Sequence, residues 1–553
     1  MSDFLSRRRF LAGAAALACP KKGLAAPAAA TTLHITEQRL TIDGKTAPAL
    51  LINGSLPAPL LRWREGTDMQ VTVHNHLDVL TSVHWHGLRV PSSQDGVPGL
   101  SYAGIAPRST FTYHLPLRQS GTYWYHSHVA GQEPRGMYGP LILDPAGSDP
   151  LPPVARDYII FLSTWTDVLP PWIVSNLKMD GDYYNFRQRS VASLPMEARR
   201  QGGMINALED RLMWSGMRMS ATDISDTSGM ILSYLLNGQA NMPGWSGLFR
   251  KGERVRLRFI NGSAMTLYDV RLPGLPMQVV EADGNAVQPF EVDEFRIGVG
   301  ETYVVDVVPE QEKPYTIFVQ SEDRTGYARG TLTPRLGWYG PVPPMDPRPV
   351  RTMVDMGMSM GPGMKTGMSM PGPDKADSAL REIDDPGPPP LSVENQWTDP
   401  HPTNRTASPG DGLEHTGRRV LNYTMLRALH PQPAPLPTRE IVMHLTGNME
   451  RYIWGFNGRK FSQSGPIRLL RNERVRFRVI NDTMMEHPLH LHGLWSQLEN
   501  GQGEACPLKH TIISQPGSVM RFLVTADTPG RWAWHCHLAY HMDTGMFRVV
   551  EVL

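Results

Sequence analysis

The sequence predicts an all-β chain in which one strand-rich unit occurs three times, and three observations lead to that reading. The first is length: 553 residues exceed what one hydrophobic core supports and imply three or four domains. The second is composition, since 51 glycines and 49 prolines suit many short strands joined by turns better than helical bundles. The third is a pattern that recurs three times, an Asn-Gly turn followed by an alternating strand that ends in Asn. It runs from Asn53-Gly54 to Asn75, from Asn237-Gly238 to Asn261 and from Asn457-Gly458 to Asn481. Within the copies, Val71-Thr72-Val73, Val255-Arg256-Leu257-Arg258-Phe259 and Val475-Arg476-Phe477-Arg478-Val479 alternate with the two-residue period of a half-buried strand. A formal net charge of +1 argues against a nucleic-acid footprint or a polybasic membrane surface.

Taken in order, residues 1–30 carry Ser6-Arg7-Arg8-Arg9-Phe10-Leu11, then an Ala-rich apolar stretch to Ala18 and small residues to Ala30, which resembles a twin-arginine export signal. The apolar run is too short for a membrane span, so no stable membrane insertion is expected. Cys19 does not suggest a lipoprotein, because Ala16 stands where a lipobox prefers Leu. Residues 31–150 form the first unit and 151–335 the second, divided by Asp149-Pro150-Leu151-Pro152-Pro153. Gly340-Pro341-Val342-Pro343-Pro344 opens a Met- and Pro-rich stretch, 336–419, read as a linker, and 420–553 is the third unit. Past the signal only Cys506 and Cys536 remain, so a metal-binding Cys536 leaves no intrachain disulfide; Cys506 reads as a small buried residue.

The repeat makes the histidines informative. His84 and His86 follow Asn75 at the offsets at which His490 and His492 follow Asn481, whereas Val270 and Leu272 hold those places in the middle unit. No histidine occurs between His128 and His401, so the second unit has a structural role and no metal. Gly121 precedes His126 and His128 as Gly530 precedes His535 and His537, with Ser127 matching Cys536, Gln132 matching His541 and Met137 matching Met546. Alternate residues of a strand face one side, so each His-x-His pair presents two imidazoles together. Four such pairs, His84/His86, His126/His128, His490/His492 and His535/His537, supply eight neutral imidazoles, enough for three copper ions between units one and three. Cys536 faces the other way, and with His487, His541 and a distant Met546 it makes the two-histidine, one-thiolate, weak-thioether set of an electron-transfer copper. The remaining histidines, His34, His74, His76, His114, His401, His415, His430, His444 and His510, are read as surface or packing residues.

His84-Trp85-His86-Gly87, His126-Ser127-His128, His487-Pro488-Leu489-His490-Leu491-His492-Gly493 and His535-Cys536-His537 through His541 to Met546 resemble the four signatures of the multicopper oxidases. The resemblance implies three cupredoxin-like Greek-key β-barrel or sandwich domains and four copper ions. It assigns His84 and His490 to a type 2 copper and His86, His126, His128, His492, His535 and His537 to a type 3 pair. It gives His487, Cys536, His541 and Met546 to a type 1 copper. Asp95 in Gln94-Asp95-Gly96 resembles the family's acid beside the type 2 copper, and it is equally an Asp-Gly turn residue. A second relay carboxylate found in better-known bacterial cuprous oxidases is replaced here by Met542.

The electron donor is read from Met353, Met356, Met358, Met360, Met364, Met368 and Met370, thioethers set among Gly, Ser and Pro. Soft thioethers favour Cu(I), whereas the bland alternative is low-complexity linker. Met213, Met217, Met219 and Met230 add to that surface or pack in a core. The signal, the three domains and the Met-rich stretch together resemble the family's periplasmic copper-resistance branch. That resemblance implies oxidation of Cu(I) with dioxygen reduced to water, periplasmic copper-binding partners and a monomer. A laccase-like phenol oxidase and a periplasmic copper-sequestering protein are the alternatives.

Overall fold

The computed structural model describes residues 29–185, 187–241, 244–356, 377, 379–432 and 435–553. The export signal, and Met358, Met360, Met364, Met368 and Met370, lie outside the described residues. The first domain pairs two four-stranded sheets. One has the order β2 (Lys45–Ile52), β1 (Ala29–Ile42), β4 (Asp68–Asn75), β6 (Thr110–Pro116). The other has the order β3 (Leu61–Arg64), β8 (Tyr138–Asp144), β7 (Gly121–His126), β5 (His84–His86). Inward-facing Leu33, Ile35, Val71 and Val73 meet Trp85, Tyr113, Tyr123 and Tyr125 between the sheets. The second domain packs a six-stranded on a five-stranded sheet, and the third a seven-stranded on a five-stranded sheet.

The threefold repeat is visible in the backbone. In each domain the first long strand runs parallel to the strand that ends in the repeat asparagine: β1 beside β4, Arg156–Trp165 beside Val255–Asn261, and Arg439–Asn448 beside Arg474–Asn481. The turn asparagines Asn53, Asn237 and Asn457 hold φ of 51°, 51° and 53°, left-handed values that asparagine and glycine tolerate, and glycine follows each. Each turns its Oδ1 to a strand N–H, of His34, Phe161 and His444, at 2.7 Å. The strand-end asparagines are buried. Asn75 donates to the carbonyls of Val79, Ile105 and Ala106, Asn261 to Thr266 and Ile297, and Asn481 to Met485, Ser514 and Gln515. One amide thus satisfies loop carbonyls that would otherwise be buried unpaired.

Two features depart from the sequence expectation. The second domain carries helices α1 (Pro170–Met179), α2 (Leu194–Arg200) and α3 (Met204–Gly216), which the turn-rich composition did not announce. The described part of 336–419 is a packed strap and not a free linker. Arg271 pairs with Asp346, Arg348 reaches Asn185, buried Arg351 pairs with Asp411, and Glu382–Asp384 adds a parallel strand to Arg439–Asn448. Met353 and Met356 are 2% and 1% exposed within the largest apolar core, so neither offers its thioether to solvent.

Candidate metal centre

Strand pairing builds the histidine cluster. In domain one β5 pairs antiparallel with β7, setting His84 opposite His126; in domain three His487–Leu491 pairs with Gly530–Cys536, setting His490 opposite His535. The two halves meet face to face. The rings of His84 and His492 stack at 3.9 Å and those of His86 and His490 at 3.8 Å. Nitrogens converge across the interface at 3.3 Å between His128 and His535 and 3.2 Å between His537 and His86, and within the third domain at 3.1 Å between His492 and His535. All eight imidazoles are buried except half-buried His128.

The hydrogen bonds behind the rings fix which nitrogen faces the centre. A carbonyl can only accept, so Nδ1 carries the proton in His84, bonded to the Asp95 carbonyl, in His490, bonded to that of His510, and in His535, bonded to that of Cys536. The Nε2 atoms of His84, His126 and His490 are then left buried without a partner, an arrangement that suits a cation. Burial, reinforced by neighbouring imidazoles, holds His86, His126, His128, His490, His492 and His537 well below the usual histidine range, and burial brings His535 down to about 4. Neutral imidazole is the ligating form, so the residues fit copper.

Asp95 joins the halves. Its Oδ2 lies 2.9 Å from His492 Nδ1 and its Oδ1 3.4 Å from His84 Nδ1. Gly96 beside it adopts φ of 86°, and a Cβ there would sit 1.9 Å from the Val83 carbonyl oxygen, so only glycine lets the turn carry Asp95 to the cluster. Sequence reasoning missed three contributors. Glu133 reaches His126 Nδ1 at 2.8 Å. His510 is buried 3.2 Å from His86 Nε2, whereas its sequence position gave no sign of a neighbouring cluster. The second domain holds that corner in place: Asp283 and Glu301 clasp buried Lys509 at 2.9 and 3.0 Å, and Asp283 accepts the N–H groups of His510 and Thr511. A Cβ on Gly300 would stand 3.0 Å from both His86 and His537, so the second domain also closes over the cluster.

Cys536 ends its strand between two cluster histidines and points to the opposite face, as alternation requires. His487 Nδ1 lies 3.4 Å and His541 Nδ1 3.7 Å from its sulfur, and the two nitrogens are 3.2 Å apart. Met546 is buried beside them, its N–H bonded to the His541 carbonyl and its carbonyl to the Cys536 N–H. Burial pushes the Cys536 thiol far up, so a thiolate here needs a bound cation. The residue that finishes the site is Asp226 of the second domain, whose Oδ2 accepts from His541 Nε2 at 2.7 Å and from the Tyr452 hydroxyl at 2.8 Å. Helix α4 (Ala539–Asp543) brings His541 to this corner, and Trp454 stacks on it at 3.8 Å. The equivalent corner of domain one is closed by polar contacts instead. Ser127 and Thr81 both donate to Gln132 Oε1 at 2.8 Å, and Thr81 lies 3.6 Å from the Met137 sulfur.

Models of the family described as "Multicopper oxidase" match residues 34–148, 208–334 and 434–553. Copper resistance protein A of Escherichia coli is 46% identical, the match covering 94% of this chain and 92% of that protein. A copper resistance protein A homolog of Pseudomonas syringae pv. tomato is 45% identical, covering 94% and 92%. Among solved structures, Fet3p, described as a multicopper oxidase that functions in iron import, superposes with a TM-score of 0.65 at 19% identity over 95% of this chain and 90% of its own. The last likeness shows the fold, and the full-length relatives show more: this chain belongs to the multicopper oxidase family, whose members hold one type 1, one type 2 and two type 3 coppers.

Proposed function

We propose that this chain is an exported copper-resistance enzyme that oxidises Cu(I) to Cu(II) and reduces dioxygen to water. Bound copper supplies one-electron acceptance at the cysteine site and pooled four-electron reduction at the histidine cluster. His487, Cys536, His541 and Met546 are the set for the first, and the eight paired histidines for the second. The Cys536 backbone joins the two sets directly, since His535 and His537 are its chain neighbours. Asp95, hydrogen-bonded to His492 and beside His84, is placed to hold a proton at the cluster edge.

The observation that carries the choice of donor is the Asp226–His541 contact. His541 is 0% and Asp226 2% exposed, so no donor lies directly against the histidine edge, and the way in runs through Asp226 and the segment that carries it. The segment that bears Asp226 also exposes Met179, Met196, Met204, Met213 and Met230, thioethers of the kind that favour Cu(I), while Met217 is buried and Met219 half-buried. Export to the periplasm is supported by the arginine motif of residues 6–11, and copper-binding proteins of that compartment are the expected suppliers. No helix among the described residues is long and apolar enough to cross a membrane.

Oxygen uptake by the copper-loaded protein, given Cu(I) in a chelating buffer or a phenolic donor, tests this reading. Faster uptake with Cu(I) supports it. Strong turnover of the phenol alone makes the chain a laccase, and copper binding without uptake makes it a store.

A further inference from the structure

The parallel register of β1 and β4 sets His34 opposite His74 on the solvent side of the first sheet. Alternation sends Leu33, Ile35, Val73 and Asn75 inward, so His34, His74 and His76 must share the outer face. His34 and His76 are exposed and His74 half-buried. The three rings stand side by side, with His34 4.8 Å from His74 and 5.3 Å from His76, and interplanar angles of 11° and 17°.

His34 Nδ1 lies 3.0 Å from His76 Nε2. Cross-ligand nitrogens in the buried cluster are spaced at 3.1 to 3.3 Å, so an outer face with no part in that cluster repeats its ligand spacing. Two nitrogens at that separation are also what two neighbouring ligands present to one ion about 2.1 Å away. His74 Nδ1 is engaged by the Thr110 hydroxyl at 2.9 Å, a bond that orients the ring and leaves Nε2 available, as outer partners do for metal-binding histidines. Imidazole donors suit Cu(II), Ni(II) and Zn(II), and for a given set the order of affinity peaks at Cu(II).

We propose that His34, His74 and His76 form a surface site for one divalent late first-row metal ion, with Cu(II) bound most tightly, separate from the four family coppers. His34 and His76 are the primary pair and His74 the third donor. The claim does not depend on which electron donor the enzyme uses.

The test titrates the enzyme, already holding its four coppers, with Cu(II) against a competing chelator. One further equivalent is expected, with nitrogen superhyperfine structure in its electron paramagnetic resonance. The double variant His34→Gln/His76→Gln should lose that equivalent, and His74→Gln should weaken it about tenfold. Both should keep the blue absorbance and oxygen uptake of the parent, which shows that the fold survives. Absence of the extra equivalent, or its retention in the double variant, overturns the proposal.

Discussion

Replacing Asp226 by Asn should raise the reduction potential of the copper at Cys536, because the carboxylate favours the more positive, oxidised ion. Asp226 Oδ2 is 2.7 Å from His541 Nε2, and His541 Nδ1 faces Cys536. Crossing the ring and a metal–nitrogen bond places the carboxylate roughly 7 Å from an ion on Nδ1. One unit charge at that distance, with an effective dielectric constant of about 20, contributes about 2.4 kcal/mol, or about 100 mV for a one-electron couple. Asn keeps the size of the side chain and can still accept from the ring N–H through its carbonyl oxygen, so the substitution changes charge more than shape. The assay is a redox titration of the blue absorbance in both proteins. A shift below about 20 mV, or a downward one, would refute the argument that the Asp226 carboxylate acts on the copper through His541.

Three further outcomes are expected. Asp95→Asn should slow steady-state oxygen uptake about a hundredfold while leaving reduction of the blue copper by Cu(I) unchanged in stopped flow, because the Asp95 carboxylate lies against the cluster histidines His492 and His84. Asn481→Ala removes bonds to the carbonyls of Met485, Ser514 and Gln515 and should cost about 2–4 kcal/mol, read as a lower urea midpoint with unchanged slope. The metal-free protein should weaken as pH falls. Burial brings His535 and His510 down to about 4, below the unfolded value of about 6.5, so the unfolded chain takes up protons that the folded one refuses. Their stabilisation is complete above about pH 6.5 and is lost progressively toward pH 4, at about 3 kcal/mol each, which unfolding midpoints at about pH 7 and about pH 5 will show.

The repeat and the histidine pairs were legible because both are local. An Asn-Gly turn announces its left-handed backbone, and a His-x-His pair on a strand fixes two rings on one face whatever surrounds it. The loss of the metal set in domain one was equally readable, through Ser127, Gln132 and Met137, although the hydrogen bonds that fill the corner, and the part of Thr81, needed coordinates. What stayed hidden joins distant parts of the chain. Asp226 meets His541 across 315 positions and His510 meets His86 across 424, and neither carries a motif. The strap was misread for a physical reason: its proline and glycine content reads as linker, while its order comes from ion pairs such as Arg351 with Asp411 and from Met353 and Met356 filling a core. The helices α1–α3 escaped because reasoning from three similar units gave no place for an insertion in the second.

The central claim is that electrons enter at Cys536 and dioxygen is reduced at the histidine cluster its neighbours help to build. The most direct test is oxygen uptake driven by Cu(I) in the copper-loaded Cys536→Ser variant, with its copper content measured alongside. Loss of the blue absorbance and of uptake together, with three coppers per chain retained, is the predicted result. Uptake at the parental rate without the blue absorbance would contradict the account.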